Sequence, residues 1–276
     1  MMNTKQKFIK KLSQIMPNNE AIGEINFILK EHLNLDKTKL ILNPNLIDDY
    51  KNEIEKIIDK RINTRMPLQY ILNKAVFCED VYYVDKNVLI PRPETEILVR
   101  ETAKYLNSNS KILEIGSGSG CISISLAKLL QNINITSCDI SDGALNIAKN
   151  NAQNLCPNLK INFINSDLYS NVDGKFDAII SNPPYIAQEL KKDMQPEVLE
   201  FEPHSALFAD NDGMLFYEKI ITCAPKFLKK GGLIAFEVGI NQAQKVKLLL
   251  ENSSFSKVII ITDLSSIDRC VLGWYN

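Results

Sequence analysis

The tetrapeptide Asn182–Tyr185 (NPPY) follows a predicted buried strand and contains groups that can hold an amino group. The Asn182 side chain offers an oxygen acceptor and an NH2 donor. Pro183 has no N–H, and Pro184 keeps it out of the helical region, so the Pro183 carbonyl has a fixed direction. The Asn182 side-chain oxygen and the Pro183 carbonyl can therefore clamp an incoming –NH2, while the Tyr185 ring can stack on a planar amide or base.

Such a clamp addresses a chemical problem. An amide or aromatic amine nitrogen is a poor nucleophile, because its lone pair is delocalised. Holding both N–H groups and tilting them out of plane favours a more tetrahedral nitrogen, whose lone pair is available for in-line attack. The clamp acts by positioning and by preorganised dipoles. It needs no histidine, lysine or carboxylate base before a group is transferred to the nitrogen. The alternative interpretation of this tetrapeptide is a proline-stiffened loop with an asparagine cap.

A second motif, LEIGSGSGC, places three glycines within Gly116–Gly120, between a predicted strand and a predicted helix. In an open α/β sheet this is the ligand-binding edge, where glycine lets the backbone approach a ligand closely. Asp139 closes the next predicted strand, where a carboxylate can accept a ribose hydroxyl. A dinucleotide-binding fingerprint would need glycine at position 121, where this chain has Cys121. The acidic Glu114 would also repel the phosphates of a dinucleotide. No P-loop motif occurs in the sequence.

Composition excludes several classes of function. The 276 residues are enough for two domains, and 32 Lys and Arg against 33 Asp and Glu give no bulk attraction to nucleic acid or anionic membranes. Six scattered cysteines and two isolated histidines predict free thiols and no metal site. No segment approaches the ~18 apolar residues of a membrane span. The N-terminal segment lacks the apolar core of a signal peptide, so we expect a cytoplasmic protein.

The elements that must position the two motifs fall into three segments. Residues 1–68 show helical spacing of apolar side chains, which predicts a small all-helical domain. Residues 69–91 have β-branched and aromatic residues on both sides of Asp85-Lys86-Asn87, which predicts a β-hairpin linker with its turn there. In residues 92–276, strand and helix patterns alternate, which predicts a Rossmann-like α/β domain with a mostly parallel sheet and helices on both faces.

Individual elements follow from the same patterns. A helix is predicted from Glu94 to about Leu106, with Pro93 at its start, and another begins after a cap at Ser141 or Asp142. The predicted strands are 111–116, 133–140, 161–167, 176–182 and 231–239, and the other predicted helices are 121–130, 141–155 and 214–228.

The two motifs together resemble those of known methyltransferases. The GxGxG spacing after an acidic residue is similar to that of S-adenosylmethionine (SAM) methyltransferases. An Asn-Pro-Pro-Tyr after the fourth strand is shared by enzymes that modify planar amino groups of DNA adenine, ribosomal RNA guanine or protein glutamine. The segments RMPLQYIL, VLIPRPETEILV, FEPHSALFADNDGMLFY and DLSSIDRCVLG resemble the bacterial peptide chain release factor glutamine methyltransferases, the HemK/PrmC family. This likeness covers essentially the whole chain.

The resemblance implies a class I methyltransferase domain with seven strands, in which SAM is the methyl donor and S-adenosylhomocysteine the product. It implies a protein substrate, the Gly-Gly-Gln glutamine of class I release factors, whose methylated side chain modulates translation termination. The helical domain would recognise the release factor, and the enzyme would be a monomer without metal, stable nucleic-acid partner or membrane. The implied cofactor-binding residues are Glu114, Gly116, Ser117, Gly118, Ser119, Gly120, Asp139, Leu168 and Asn182. The implied catalytic residues are Asn182, Pro183 and Tyr185, and the substrate-binding residues are Asn182, Pro183, Pro184 and Tyr185.

Three positions depart from the family pattern. Leu168, expected near the adenine, stands where such enzymes often have an aromatic residue. Asn73 occupies a position that is typically glycine, and asparagine tolerates the positive φ that a turn there requires. The segment FCED, residues 77–80, replaces a glycine-bearing turn.

Two other functions stay open on the sequence. A nucleic-acid amino methyltransferase acting on adenine or guanine would use the same clamp, together with an aromatic and basic surface for an extruded base. A noncatalytic SAM- or nucleotide-binding module would be expected to have lost the clamp, which is intact in this chain. The residue pattern assigns no role to Arg92, Glu94, Glu96 and Glu202.

Overall fold

The structure, a computed structural model, describes residues 2–130 and 132–276. Its first compact unit contains the chain up to Lys74 together with Gln195–Phe201, and its second contains Ala75–Met194 and Glu202–Asn276. The predicted domain boundaries after residues 68 and 91 stay predictions. None of the helices in the described ranges has the length and apolar character that crossing a bilayer requires.

Twelve α-helices and eleven strands follow one another along the described chain. The helices are α1 (Thr4–Leu12), α2 (Asn18–Phe27), α3 (Lys37–Leu42), α4 (Leu46–Asp49), α5 (Lys51–Thr64), α6 (Leu68–Leu72), α7 (Thr95–Ala103), α8 (Cys121–Leu130), α9 (Asp142–Leu155), α10 (Pro196–Phe201), α11 (Leu215–Cys223) and α12 (Ala243–Glu251). The strands are β1 (Ala75–Phe77), β2 (Asp80–Tyr82), β3 (Lys111–Ile115), β4 (Asn134–Asp139), β5 (Ile161–Asn165), β6 (Phe176–Ser181), β7 (Ile186–Ala187), β8 (Phe208–Ala209), β9 (Leu228–Glu237), β10 (Phe255–Thr262) and β11 (Asp268–Tyr275). A π-helical turn, Ile28–His32, extends α2, and 3-10 turns span Gln188–Asp193, His204–Ala206 and Ala224–Lys226.

The first unit is helical, because its apolar residues recur at the helical spacing that buries one face of each helix. Asn3 caps α1 with a reciprocal pair of side-chain bonds to Gln6. The core of the unit contains Phe8, Leu12, Ile25, Ile54, Ile58 and Leu68. Within the same unit, the buried Glu197 carboxylate of α10 pairs with Arg65 Nη2 at 2.8 Å, which ties this later segment to the end of α5.

The second unit is built on a seven-stranded sheet in the order β10-β11-β9-β6-β3-β4-β5. Only β11 runs in the direction opposite to the other six strands, so the predicted mostly parallel sheet is confirmed. The strands and helices predicted between residues 111 and 239 are confirmed, with ends that shift by a few residues. Strands β10 and β11, which complete one edge of the sheet, were not predicted individually from the sequence.

Both faces of this sheet are covered. On β3, Ile112 packs into one hydrophobic cluster and Leu113 into the other, because successive side chains of a strand point to opposite faces. Both side chains are fully buried. A strand that is buried on both faces needs a mostly apolar run, which explains Ile112, Leu113 and Ile115 in KILEI and leaves the buried Glu114 as the exception.

The hairpin prediction is wrong in its turn position. Strands β1 and β2 pair with Phe77 opposite Asp80, so the turn residues are Cys78 and Glu79. Their φ angles of 48° and 71° are those of a left-handed two-residue turn. The predicted residues 85–87 do form a turn, in which the Val88 N–H donates to the Asp85 carbonyl, but no strand follows it. The apolar residues on both sides of this turn indicate that the segment is buried, and they do not by themselves indicate that it pairs as strands.

Asn73 behaves as predicted from the sequence. It ends α6 with φ 53° and ψ 38°, in the left-handed region that asparagine tolerates better than most side chains. The turn after α6 is therefore retained without a glycine.

Candidate active site

The carboxyl ends of β3, β4 and β6 open into a cavity of about 450 Å³ within the second unit. From β3 the chain continues to β4 on one side of the sheet, and later to β6 on the other. This is the switch point at which α/β sheets bind ligands. Most of the predicted site residues line the cavity: Glu114, Gly116, Ser117, Gly118, Ser119, Asp139, Leu168, Asn182, Pro183 and Pro184. The predicted residues that do not line it are Gly120 and Tyr185.

The glycine loop has backbone angles that other residues adopt at a cost. Gly116, Gly118 and Gly120 have φ of 87°, 51° and 81°. The N–H groups of Gly116 and Ser117 donate to the Cys138 carbonyl at 2.8 and 3.0 Å, which fixes the loop on the end of β4. A Cβ at Gly118 would meet nothing within 4 Å, so this part of the backbone is open to a ligand.

Gly120 has a packing role. A Cβ there would lie 3.1 Å from Ile124 Cδ1 and 3.2 Å from Ala148 Cβ, so glycine allows α8 and α9 to pack closely behind the loop. Its predicted contact with the cofactor stays a prediction, since Gly120 is not in the cavity lining.

Asp139 joins three parts of the site. Its carboxylate accepts a hydrogen bond from Gly118 N–H at 2.9 Å and another from Ser141 N–H at 2.9 Å. Ser141 in turn caps α9 by accepting from Ala144 N–H at 3.2 Å, which confirms the predicted cap. Each carboxylate oxygen keeps a second lone pair, so Asp139 can still accept from a ligand hydroxyl.

Glu114 is a buried carboxyl group on the cavity wall. One of its oxygens accepts from Ser137 Oγ at 2.6 Å and from Ser123 Oγ, while the other has no hydrogen-bond partner among the described residues. Its pKa is raised to about 7, chiefly by burial and also by the nearby Asp139 charge, while the hydrogen bonds from the two serines act in the opposite direction. An unpartnered buried acceptor beside a cavity favours a cationic ligand over an anionic one.

Asn182 and the glycine loop meet at the same edge. The Asn182 carbonyl oxygen lies 3.9 Å from the position of a Cβ on Gly116. The Asn182 side chain donates through Nδ2 to Thr95 Oγ1 at 3.2 Å. Ser181 Oγ donates to the Ile115 carbonyl at 2.7 Å, which holds the end of β6 against the end of β3. The structure thus brings together two motifs that are far apart in the sequence.

Tyr185 is held behind the cavity. Its hydroxyl donates to Glu237 Oε1 at 3.4 Å, and its ring packs against the buried cluster that contains Tyr217. Its carbonyl accepts from Gln242 Nε2 at 2.9 Å, and a Cβ at Gly213 would lie only 2.0 Å from the same oxygen. Burial raises the pKa of the Tyr185 phenol, with the Glu237 charge as a second cause. Stacking of this ring on a substrate stays a prediction.

Leu168 has an unusual backbone. Its φ of 50° is in the left-handed region, and its carbonyl accepts from Ser166 Oγ at 2.9 Å and from Cys138 Sγ at 3.3 Å. These bonds hold the loop after β5 in a conformation that places Leu168 on the cavity wall.

Across residues 2–130 and 132–276, no group of three or more His, Cys, Asp or Glu is arranged so that it could hold a metal ion.

Comparisons with known proteins place this site in a family. A model described as PrmC N-terminal domain matches residues 6–72, and one described as methyltransferase small domain matches residues 73–201. The chain is 37% identical to a protein named release factor glutamine methyltransferase from Flavobacterium psychrophilum, over 98% of this chain and 97% of that protein. A protein of the same name from Clostridium acetobutylicum is 35% identical over 99% of this chain and 98% of that protein. The chain belongs to the release factor glutamine methyltransferase family.

Membership of this family confirms the resemblance predicted from the sequence and identifies the chain as a methyltransferase. A solved structure described as a methyltransferase from Pyrococcus furiosus superposes with a TM-score of 0.54 at 17% identity, covering 81% of this chain and 98% of that one. That likeness concerns the fold alone, and it agrees with the predicted Rossmann-like methyltransferase domain.

The residue pattern assigned no role to four charged residues of this family member, and the structure shows the ion pairs and hydrogen bonds that they form. Arg92, on the cavity wall, pairs with the buried Glu202 at 2.5 Å, and the second Glu202 oxygen accepts from Ile90 N–H at 3.2 Å. Glu96 accepts from Cys78 N–H at 3.0 Å, so it supports the β1–β2 turn. Glu94 lies 3.7 Å from Arg269.

Two buried residues at the site, Thr95 and Glu237, were not predicted from the sequence. Thr95 is part of the motif PRPETE, but a threonine in a first helical turn carries no distinctive pattern. Glu237 had a detectable signal, since a lone carboxylate in the apolar strand LIAFEVG is uncommon unless it has a function or a partner.

Proposed function

We propose that this methyltransferase transfers a methyl group from SAM to the side-chain amide nitrogen of the glutamine in the Gly-Gly-Gln motif of class I release factors. The observation that carries the proposal is a cavity lined by both the glycine loop and the Asn182–Pro184 segment. Identity of 37% over 98% of the chain to a release factor glutamine methyltransferase supports the choice of substrate.

The residues of the cavity fit SAM. The unpartnered oxygen of the buried Glu114 suits a ligand with a positively charged amino group and a sulfonium. Asp139 has acceptor capacity left for ribose hydroxyls, and the open backbone at Gly118 permits close approach. We propose that Gly116 to Gly120 and Asp139 contact SAM, with its adenine near Leu168 and its methionyl end near Asn182. Bound SAM would supply the methyl group as an electrophile.

The acceptor side is served by Asn182 and Pro183. The Asn182 oxygen and the Pro183 carbonyl would each accept one N–H of the substrate amide, which leaves the nitrogen lone pair free to face the donor. Because both acceptors are fixed before the substrate arrives, the clamp contributes by orientation. We propose that Pro184 and Tyr185 pack behind the bound amide and limit its movement.

The remaining parts of the proposal concern partners. We propose that the helical residues 1–68 recognise the release factor, that the enzyme acts as a monomer without stable nucleic acid or membrane, and that it works in the cytoplasm. The formal net charge of −1 agrees with a protein partner, since a nucleic-acid substrate would favour a basic chain.

The direct test is methyl transfer from labelled SAM to purified release factor, with RNA and DNA as competing acceptors. We expect label on the Gly-Gly-Gln glutamine, and none on a release factor in which that glutamine is replaced by alanine. Asn182→Ala is expected to keep SAM affinity within about tenfold and to lose at least about a hundredfold in rate. Label on nucleic acid alone would instead support the amino methyltransferase of adenine or guanine.

A further inference from the structure

Behind the Asn182–Tyr185 segment, polar side chains from α7 and β9 contact both ends of the segment. Asn182 Nδ2 donates to Thr95 Oγ1 at 3.2 Å. The Thr95 hydroxyl interacts with the carboxyl group of Glu237, an interaction that lowers the pKa of Glu237. Glu237 Oε1 also accepts from the Tyr185 hydroxyl at 3.4 Å. Tyr185 therefore bonds directly to this carboxyl group, and Asn182 bonds to the threonine that interacts with it.

This carboxyl group is in an environment that leaves it few other partners. Glu237 is 3% exposed and Thr95 is 2% exposed. Glu237 Oε2 has no hydrogen-bond partner among the described residues. The charges that act on Glu237 are the repulsive Glu94 and the attractive Arg269, and Arg269 is already engaged with Asp263 at 2.8 Å. Thr95 and Tyr185 are thus the groups through which Glu237 can act on the site.

The direction of the hydrogen bonds follows from chemistry. A carboxyl oxygen that carries no proton can only accept, so the Thr95 hydroxyl gives its one hydrogen to Glu237 when the oxygen that faces it is unprotonated. The Thr95 oxygen can then only accept, and its donor is the NH2 group of Asn182. Since the amide of asparagine is planar, directing its nitrogen to Thr95 directs its oxygen to the opposite side.

We propose that Thr95 and Glu237 are positioning residues, which set the Asn182 amide so that its oxygen faces the methyl acceptor. This inference rests on the proposed role of Asn182 in holding the substrate –NH2. Without the Thr95 oxygen, the amide of Asn182 is free to turn by half a rotation. Its own NH2 would then face the NH2 of the substrate, and two donors do not form a hydrogen bond.

The test is the steady-state kinetics of release factor methylation for Thr95→Val, Thr95→Ala and Thr95→Ser. The matched control is Thr102→Val, because Thr102 is fully buried on the same helix and its hydroxyl has no partner among the described residues. We expect Thr95→Val and Thr95→Ala to lower kcat on the order of tenfold to a hundredfold relative to this control. Thr95→Ser keeps the hydroxyl and is expected to restore most of the rate.

Two further measurements separate positioning from loss of structure. The SAM dissociation constant of the Thr95 variants should match that of Thr102→Val, and their melting temperatures should stay above the assay temperature, so that the loss lies in kcat. For the second proposed positioning residue, Glu237→Gln keeps an acceptor oxygen and should retain more activity than Glu237→Leu.

The outcomes are distinct for each proposal. If either folded hydroxyl-less variant, Thr95→Val or Thr95→Ala, has a kcat within about twofold of the control, the positioning role is wrong while the proposed function stands. If the wild-type protein transfers no methyl group to release factor, the proposed function is wrong, and with it the positioning role that rests on it. Alanine keeps the comparison valid should the valine variant not fold, since alanine is favourable in a helix.

Discussion

The carbonyl oxygen of Asn182 lies 3.9 Å from where a side chain at Gly116 would begin. The cofactor loop and the proposed acceptor clamp are therefore neighbours across one edge of the sheet, where β3 and β6 pair in parallel. Any side chain at position 116 would enter the space that the two motifs share.

We expect Gly116→Ala to weaken SAM binding by at least about tenfold, because the new methyl group enters the cavity and the φ of 87° is unfavourable for alanine. Titration calorimetry with SAM measures the effect. The matched control is Gly174→Ala, since Gly174 has a similar φ of 97° and nothing within 4 Å of its Cβ position. Equal SAM affinities for the two variants would contradict the placement of the loop.

A second prediction concerns stability and pH. Burial raises the pKa of Glu237 from 4.5 to about 7, so the folded protein binds more protons than the unfolded chain between these values. The contribution of this group to stability must therefore fall as the pH rises from about 5 to 7. Glu237→Gln removes this dependence, and we expect its free energy of unfolding at pH 8 to exceed that of wild type by roughly 1–3 kcal/mol.

Urea unfolding at pH 5 and at pH 8 measures this difference. Near pH 5 the two proteins should differ little, because the Glu237 carboxyl is largely protonated when folded. Glu189→Gln, at an exposed glutamate, serves as the control and should leave the pH dependence unchanged. A stability difference between Glu237→Gln and wild type that is the same at pH 5 and pH 8 would be inconsistent with a raised pKa of Glu237.

The β1–β2 turn provides a third prediction. Glu79 is exposed and has a φ of 71°, which glycine adopts without a penalty. Glu79→Gly is expected to stabilise the protein by about 0.5–1 kcal/mol, measured by thermal or urea unfolding. Lys86→Gly is the control, because Lys86 is exposed in the next turn without a positive φ, and glycine there should be destabilising. A loss of stability in Glu79→Gly would contradict the turn conformation.

The helical unit provides a fourth prediction, which depends on its proposed role in release factor recognition. On α3, Ile41 and Leu42 are 68% and 80% exposed. Exposed apolar pairs of this kind suit a protein partner. We expect the double variant Ile41→Asp, Leu42→Asp to raise the KM for release factor about tenfold, with the SAM affinity unchanged.

Leu264→Asp is the control for that experiment, since Leu264 is a fully exposed leucine in the β10–β11 turn of the other unit. Its KM should equal that of wild type. If the double variant on α3 keeps a normal KM, recognition of the release factor does not use this surface.

Much of the site could be predicted because the decisive features are local. The glycine loop follows a strand and precedes a helix, and Asn182 closes another strand, so parallel pairing of β3 with β6 brings both to one edge. The cap at Ser141 and the left-handed Asn73 also follow from single residue types in a local context.

What could not be predicted depends on tertiary contacts or on atypical residues. The hydrogen bond from Asn182 to Thr95, and the position of Glu237 beside Tyr185, join α7, β6 and β9, and no local spacing indicates them. The hairpin turn was misplaced because Cys78 and Glu79 lack the asparagine and glycine that usually mark such turns.

Gly213 limits which amino-acid substitutions the protein can tolerate. With φ 80° and its Cβ position 2.0 Å from the Tyr185 carbonyl, it leaves no room for any side chain. A substitution there would push against the backbone that immediately follows the two prolines, although Gly213 does not line the cavity. The mutational tolerance of the acceptor clamp is therefore limited from outside the site, by a glycine that is not part of the cavity wall.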